Sequence, residues 1–410
     1  MTAHTGASHS DIESPYAWLR LFAAALIATI GNVGMWSVVV ALPAIQRDFG
    51  VDRAAASLPY TLTMLGFGVG GVLMGRLADR FGILLPIIIG AIALGLGYLA
   101  VGQSATITQV ALAHGLLIGF GCSTTFGPLM ADISHWFARR RGLAVSIAAA
   151  GNYLAGTVWP PLVQHFIAAD GWRTTHTGIG LFVIATMLPL AFMFRRRIEY
   201  RDGGDAAATV RPQQPLPVSP ATLQVLLCIA AVACCVAMAM PQVHIVAYCG
   251  DLGYGAARGA EMLSLMLACG IVFRIASGFI ADRIGGIRTL LLGSVLQGVA
   301  LSLYLPFDSL ISLYAISSLF GLFQAGIVPS YAIIVREYFP AREAGSRFGL
   351  VVFASVLGMA FGGWVSGAVF DYTGSYHAAF INGIAWNLLN VSIVSFLLVR
   401  TWHRPTMAAA

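Results

Sequence analysis

Apolar residues form long runs along this chain, and polar residues are confined to the segments between those runs. Each run is about 20 residues long or longer, which is the length that an α-helix needs to cross the hydrocarbon core of a bilayer. The pattern therefore predicts an all-α membrane protein with twelve membrane-spanning helices joined by short loops. The predicted spans are residues 17–44, 55–75, 83–103, 107–130, 142–168, 176–194, 221–247, 256–280, 287–306, 309–335, 347–370 and 376–399.

The composition agrees with a membrane protein and excludes a soluble domain of any size. Of the 410 residues, 58% are hydrophobic and only 10% are charged, whereas about 25% of the residues in a soluble globular protein are charged. The sequence shows no nucleophile with a matching base, no metal-ligand spacing and no phosphate-binding loop. We therefore expect neither an enzyme nor a protein that uses a metal or a cofactor.

The basic residues indicate how the chain crosses the membrane. All 23 are arginine, and the net charge is +6. They lie at the ends of the apolar runs rather than along one face of an element, which favours a role in topology over nucleic-acid binding. If the amino terminus is cytoplasmic, 18 arginines lie on that side and 4 on the other, and Arg274 within a span completes the 23. The positive-inside rule therefore predicts that both termini are cytoplasmic.

A polar segment at 195–220 divides the chain into two halves of six predicted spans each. It carries five arginines and then a proline-rich run, a composition typical of a linker. We predict an amino-terminal bundle at 17–194 and a carboxy-terminal bundle at 221–399. The segments 1–16 and 400–410 are predicted to be cytoplasmic tails.

A short motif recurs at matching places in the two halves. Gly75-Arg-Leu-Ala-Asp-Arg-Phe-Gly82 follows the second span, and Gly278-Phe-Ile-Ala-Asp-Arg-Ile-Gly285 follows the eighth, 203 residues later. Parallel repeats of this kind occur in transporters whose two halves move around a central binding site. With the twelve spans, the motif resembles the major facilitator superfamily over essentially the whole chain. The resemblance implies two six-helix bundles, alternating access, and cytoplasmic gating by Asp79, Arg80, Asp282 and Arg283.

Four further stretches resemble the monocarboxylate transporter family within that superfamily. They are residues 42–50, 136–153, 171–173 and 371–376. The first and last are common in the bacterial carboxylate branch, which includes oxalate/formate exchangers. The resemblance implies a multi-pass transporter of a small carboxylate in the inner, or plasma, membrane of a bacterium.

Arg274 is the residue that points most directly to substrate binding. It lies eight residues before Asp282 in the eighth span, about 12 Å along a helix, which predicts a position near the bilayer midplane. A charge at that depth is costly and normally faces a polar cavity. Its guanidinium matches the two oxygens of a carboxylate, and in the family an arginine at this place binds the substrate. Because the eleventh span carries no second cation beyond its first turn, we expect a monoanion such as lactate or pyruvate.

Proton coupling has no acidic candidate at the predicted midplane. Animal members of the family carry an aspartate where this chain has Gly270, and a lysine in the first span where this chain has Trp36 or a neighbour. The remaining candidates are Asp251 in the outer loop before the eighth span, Glu261 near the outer end of that span, and His114 on the outer half of the fourth span. We favour proton symport, and exchange of two carboxylates stays open.

Polar residues on the helices expected to line the cavity are candidates for completing the substrate site. Each has an ordinary alternative role, because polar side chains in membrane helices commonly form hydrogen bonds between helices. The candidates are Asn32, Thr124, Thr125, Asn152, Tyr153, Gln324, Tyr331 and Asn382. Glycine-rich runs at 66–75 in the second span and 358–367 in the eleventh predict close contact between those two helices.

The predicted function is secondary active transport of a small monocarboxylate through the lipid bilayer. Protons are the predicted coupled ion, and the protein is expected to act as a monomer. One alternative is a carboxylate exchanger of the oxalate/formate type. The other is a membrane sensor that keeps the fold without transporting, although neither tail nor linker is long enough for a recognisable signalling domain.

Overall fold

The computed structural model describes residues 6–7, 12–198 and 218–402, and the described chain is almost wholly helical. Twelve helices follow the predicted spans, with ends shifted by about one or two turns. Two two-residue strands, β1 (Gly6–Ala7) and β2 (Arg197–Ile198), pair in parallel. The helices are α1 Pro15–Phe49, α2 Arg53–Phe81, α3 Leu84–Gly102, α4 Ile107–Trp136, α5 Arg141–Asp170, α6 Trp172–Phe194, α7 Pro220–Asp251, α8 Ala256–Ile284, α9 Gly286–Leu303, α10 Leu310–Tyr338, α11 Ala341–Thr373 and α12 Tyr376–Trp402.

Most of these helices have the length and composition of membrane spans. Within the described ranges, eleven of them are long and apolar enough to cross a membrane. The remaining one, α5, is 30 residues long and is less apolar because polar residues such as Asn152 and Gln164 interrupt it. Large apolar side chains such as Val69 and Leu73 of α2 are exposed, as suits contact with lipid. The prediction of an all-α, multi-span membrane protein is confirmed.

Three helices are interrupted near their middle. The helical pattern of α1 breaks at Asn32, and α4 passes through a wide turn at His114–Gly119 and a tight turn at Ser123–Thr125. One segment of α10 ends at Gln324, and the next begins at Ile327. Irregular backbone within a membrane is tolerated where it is buried in protein or lines a polar cavity. Each interruption contains or adjoins a predicted site residue.

The chain forms two compact units. The first contains Met1–Gly204 together with Ile245–Ser264, and the second contains Asp205–His244 together with Leu265–Ala410. The end of α7 and the start of α8 therefore pack with the amino-terminal helices. Most of the predicted linker at 195–220, and parts of both predicted tails, lie outside the described residues, so the predicted bundle limits remain predictions.

The glycine-rich runs of α2 and α11 pack within their own units. Gly66 lies against the backbone of Gly115 in α4, and Gly358 lies against the backbone of Val232 in α7. A side chain at either glycine would collide with that backbone, so glycine permits the close approach. The predicted contact between α2 and α11 stays a prediction, since the two helices belong to different units.

One end of the first unit, here called the near end, is held together by Arg20 of α1. Its guanidinium donates to both carboxylate oxygens of Asp132 in α4 at 2.8 and 2.9 Å, and to the carbonyls of Met193 and Arg196 at 3.4 and 3.2 Å. It also lies 4.5 Å from the ring centroid of Trp136. Arg20 is only 1% exposed, so this network joins α1, α4 and the end of α6 away from solvent.

Candidate functional site

In the first unit, predicted site residues gather around the break in α1. The amide nitrogen of Asn32 donates to Thr125 Oγ1 in α4 at 3.1 Å and to the Ala28 carbonyl at 2.7 Å. Gly151 of α5 lies against Ala28, which places the next residue, Asn152, on the turn of α5 that contacts α1. The structure therefore brings Asn32, Thr125 and Asn152 to one region where three helices converge.

The other two candidates of the first unit have different surroundings. Thr124 Oγ1 donates to the Gly121 carbonyl at 2.9 Å, and its side chain lies against Gly90 of α3. Successive residues of a helix point about 100° apart, so Thr124 faces α3 while its neighbour faces α1. Tyr153 is half-buried on α5.

Arg274 lies well inside α8, ten residues before the helix ends at Ile284. At 1.5 Å per residue it is about 15 Å from that end, and no other described arginine lies so far from the ends of its helix. The side chain is half-buried. A guanidinium at this depth is stable only where polar groups or an anion accept its hydrogen bonds.

The break in α10 packs onto the turn of α8 that carries Arg274. Gly326, within the break, lies against the side chain of Phe273, the residue before Arg274. Gln324 ends the preceding helical segment. Its side-chain Oε1 accepts a hydrogen bond of 3.1 Å from the side-chain Nε2 of Gln242 in α7. In the second unit, α7, α8 and α10 therefore converge beside Arg274.

The remaining candidates of the second unit differ in environment. Asn382 is half-buried on α12, next to Gly383, which faces Ala237 of α7. Tyr331 is fully buried in the hydrophobic core of the unit, where its hydroxyl donates to Cys234 Sγ at 3.7 Å. Tyr331 thus stabilises the core, and this geometry gives its predicted substrate contact no support.

Four of the substrate-site candidates have a buried polar atom with no hydrogen-bond partner in the described chain, as does the proton-coupling candidate His114 at its Nε2. The atoms of the four substrate-site candidates are Asn32 Oδ1 and Asn152 Oδ1 in the first unit, and Gln324 Nε2 and Asn382 Nδ2 in the second. An unsatisfied buried polar group costs about 1–3 kcal/mol, so each is expected to meet a ligand or an ordered water. Arg274, Gln324 and Asn382 all belong to the second unit, and guanidinium and amide N–H groups are donors that a carboxylate can accept from.

The two copies of the repeated motif end in the same backbone turn. Gly82 has a φ of 80° and Gly285 a φ of 82°, and each N–H donates to the carbonyl four residues earlier, at 2.8 and 2.9 Å. Positive φ values of this kind explain why both positions are glycine. The predicted gating residues lie exposed in the helical turns just before these glycines, and they are Asp79, Arg80, Asp282 and Arg283. Their gating role remains a prediction.

Two of the predicted proton-coupling residues have local partners. His114 of α4 is fully buried, and its Nδ1 lies 3.1 Å from Thr63 Oγ1 of α2. Glu261, near the start of α8, accepts a hydrogen bond of 2.9 Å from Arg258 of the same helix. Neither contact tests proton transfer, so both roles remain predictions.

The third residue, Asp251, forms an ion pair that nothing in the sequence indicates. Arg53, at the start of α2, donates to its two carboxylate oxygens at 3.1 and 3.3 Å. The pair lies at the end of the first unit where α1 ends and α2 begins. This end, here called the far end, is at the other end of α1 from Arg20. A cavity of about 530 Å³ adjoins it, lined also by Gln46 and Arg47. Because the paired residues are 198 positions apart, only the folded chain brings them together.

The order of the helices, the repeated turns and the interrupted spans define a secondary-transporter fold. The sequence profile of the Major Facilitator Superfamily matches residues 22–310 and 227–407. The chain therefore belongs to the Major Facilitator Superfamily, and it is a multi-pass membrane transporter rather than an enzyme.

Relatives confirm the predicted resemblance to the monocarboxylate transporter family. Monocarboxylate transporter 13 of Bos taurus is 29% identical over 377 residues, which cover 85% of this chain and 86% of the relative. The Agnestins efflux protein AgnL12 of the fungus Paecilomyces divaricatus is 24% identical over 319 residues, covering 77% of this chain and 72% of the relative. The chain is thus similar to transporters whose printed names describe different roles.

Solved structures confirm the fold. A bacterial homologue of the human lysosomal transporter Spinster, in an inward-facing and unoccupied conformation, superimposes with a TM-score of 0.70. The two sequences are 13% identical, and the match covers 95% of this chain and 96% of the other. At that identity the likeness establishes the major facilitator fold alone.

Proposed function

We propose that this protein transports a small monocarboxylate, such as lactate or pyruvate, together with protons by alternating access. The observation that carries the proposal is the position of Arg274 in the interior of α8, beside the break in α10. The relatives named monocarboxylate transporters support the substrate class.

Arg274 is the group that binds the substrate carboxylate in this proposal. Its planar donor pair holds both oxygens, and one monoanion neutralises the one guanidinium. The unsatisfied N–H group of Gln324, at the break in α10 that packs on α8, is a further donor for the same anion. A charged hydrogen bond contributes about 1.5–3 kcal/mol, so loss of the guanidinium is expected to weaken substrate binding by roughly 100-fold.

Uptake of labelled carboxylates into proteoliposomes tests this function. The parent protein is expected to take up monocarboxylates faster with an inward proton gradient than without one. Arg274→Gln should abolish uptake, and Arg274→Lys should retain little because an ammonium cannot form the paired hydrogen bonds. Arg400→Gln is the matched control, since Arg400 is an exposed arginine in the last turn of α12.

The outcomes separate the candidate functions. Uptake that requires carboxylate inside the vesicles and ignores the proton gradient would favour an exchanger. Normal uptake by Arg274→Gln would show that the substrate site lies elsewhere. A parent that binds carboxylates without moving them would favour a sensor.

We also propose that the protein lies in a bacterial inner membrane with both termini in the cytoplasm. The 18 to 4 distribution of arginines, with Arg274 completing the 23, supports this orientation. Reporter fusions at the two termini test it, because a reporter active only in the cytoplasm should be active at both ends. Activity of a periplasmic reporter at either terminus would reverse the orientation, and the near end would then face outward.

A further inference from the structure

The far end of the first unit holds two arginines and one acid around a single cavity. The cavity of about 530 Å³ is lined by Arg47, Arg53 and Asp251, which are its ionisable lining residues. One carboxylate against two guanidinium groups leaves a net charge of +1. One bound monoanion would therefore neutralise the cavity as it stands.

The Arg53–Asp251 pair joins elements from the two halves of the sequence within this unit. The Arg53 side chain is 9% exposed and the Asp251 side chain is 39% exposed. Asp251 therefore meets solvent on one side, while Arg53 is largely enclosed. An enclosed guanidinium that loses its carboxylate partner carries a large desolvation penalty, so the pair is expected to stay closed until another carboxylate takes the place of Asp251.

We propose that this cavity is a second carboxylate site, at which the substrate displaces Asp251 from Arg53 and so loosens the far end. The proposal rests on the proposed function for the class of ligand. A monocarboxylate presents the same two oxygens as Asp251, so Arg53 exchanges one bidentate partner for an equivalent one. The turn between α7 and α8, which carries Asp251, then loses its ion pair with α2.

Three other acids at the far end have partners. Asp48 pairs with Arg173, Glu261 pairs with Arg258, and Asp52 caps α2 by accepting a hydrogen bond of 2.7 Å from the Ala55 N–H. Arg47 of α1 faces the same cavity, and its Nε donates to the Pro43 carbonyl at 3.2 Å. Asp251 is therefore the acid that substrate exchange at Arg53 would release.

Accessibility of the cavity wall tests this proposal. Ala247 lines the cavity and is only 3% exposed, so Ala247→Cys should react slowly with a maleimide while the far end is closed. Purified protein in detergent is labelled with and without lactate, pyruvate and their uncharged amides. We expect the acids, but not the amides, to accelerate labelling severalfold. Protein without the added cysteine gives the background from the six native cysteines.

Further substitutions, all made in the Ala247→Cys background, separate the two residues of the pair. Asp251→Asn removes the carboxylate that pairs with Arg53 and should label rapidly without any added carboxylate. The double variant Arg53→Gln/Asp251→Asn leaves no unpaired charge, which protects folding, and should not respond to carboxylates. Arg258→Gln is the control, because Arg258 pairs with Glu261 rather than with Asp251, and it should behave like the Ala247→Cys protein.

Two results would overturn the inference. One is a carboxylate response in the double variant equal to that of the Ala247→Cys protein, because Arg53 would then not be the binding group. The other is a protein that transports monocarboxylates but shows no effect of carboxylates on labelling, which leaves the proposed function intact. A protein that transports no carboxylate would instead overturn the proposed function and, with it, the ligand assigned to this cavity.

Discussion

Removal of the Arg20–Asp132 pair should reveal a strong coupling between two residues that are 112 positions apart. Arg20 is 1% exposed and the Asp132 side chain 17%, so either charge is largely desolvated without its partner. Breaking a buried pair from one side costs about 3–5 kcal/mol, and we expect about 4 for Arg20→Met, which also loses two carbonyl contacts. Asp132→Asn keeps an acceptor oxygen and should cost about 2 kcal/mol.

The double variant distinguishes a coupled pair from two independent residues. Once one charge has been removed, the other is a buried charge without a partner, and removing it also removes that penalty. Arg20→Met/Asp132→Asn should therefore lose about 4 kcal/mol of the free energy of unfolding, rather than the loss of about 6 kcal/mol that independent effects would give. The measurement is the free energy of unfolding in mixed micelles. Tryptophan fluorescence can follow it, because Trp136 lies 4.5 Å from the Arg20 guanidinium.

An exposed arginine controls for the general effect of removing positive charge. Arg400→Met, in the last turn of α12, should change the free energy of unfolding by no more than about 0.5 kcal/mol. Additive losses in the double variant would refute the coupling. Losses below about 1 kcal/mol for Arg20→Met would refute the desolvation reasoning itself.

Two further predictions use the same unfolding measurement. Gly285→Ala should lower the free energy of unfolding by about 1–2 kcal/mol because alanine is strained at a φ of 82°. The control Gly278→Ala lies in a helix with open space around it and should be neutral or stabilising. Equal effects of the two substitutions would contradict the role of the turn. Asn387→Leu should lower the free energy of unfolding by about 2 kcal/mol, because the buried Asn387 amide donates to the Ser294 carbonyl at 3.1 Å and to Gln297 Oε1 at 3.0 Å. An unchanged free energy of unfolding would show that water replaces the amide.

The helices of this protein could be predicted closely because a membrane span must satisfy its own backbone hydrogen bonds. Length and apolarity are therefore local properties that a sequence displays. The place of Arg274 within α8, far from both ends of the helix, could be predicted for the same reason. The matching turns at Gly82 and Gly285 follow from the repeated motif and from glycine's tolerance of positive φ.

The candidate site was harder to predict from residue types. Asn32, Thr125 and Gln324 do lie at or beside interrupted helices, but Tyr331 belongs to the hydrophobic core. A polar or aromatic side chain in a span looks the same in both situations. The face of the helix on which it lies, and the helix that meets this face, decide between a site and a core.

The sequence by itself determined the number and order of the helices and the place of one arginine deep in α8. Only the tertiary structure decided which groups became partners. Arg20 meets Asp132 across 112 positions, and Arg53 meets Asp251 across 198. The physical reason is that apolarity acts along each helix separately, whereas partners are chosen by close packing and hydrogen bonds between helix faces. In a bilayer those interactions replace the hydrophobic effect in bringing helices together.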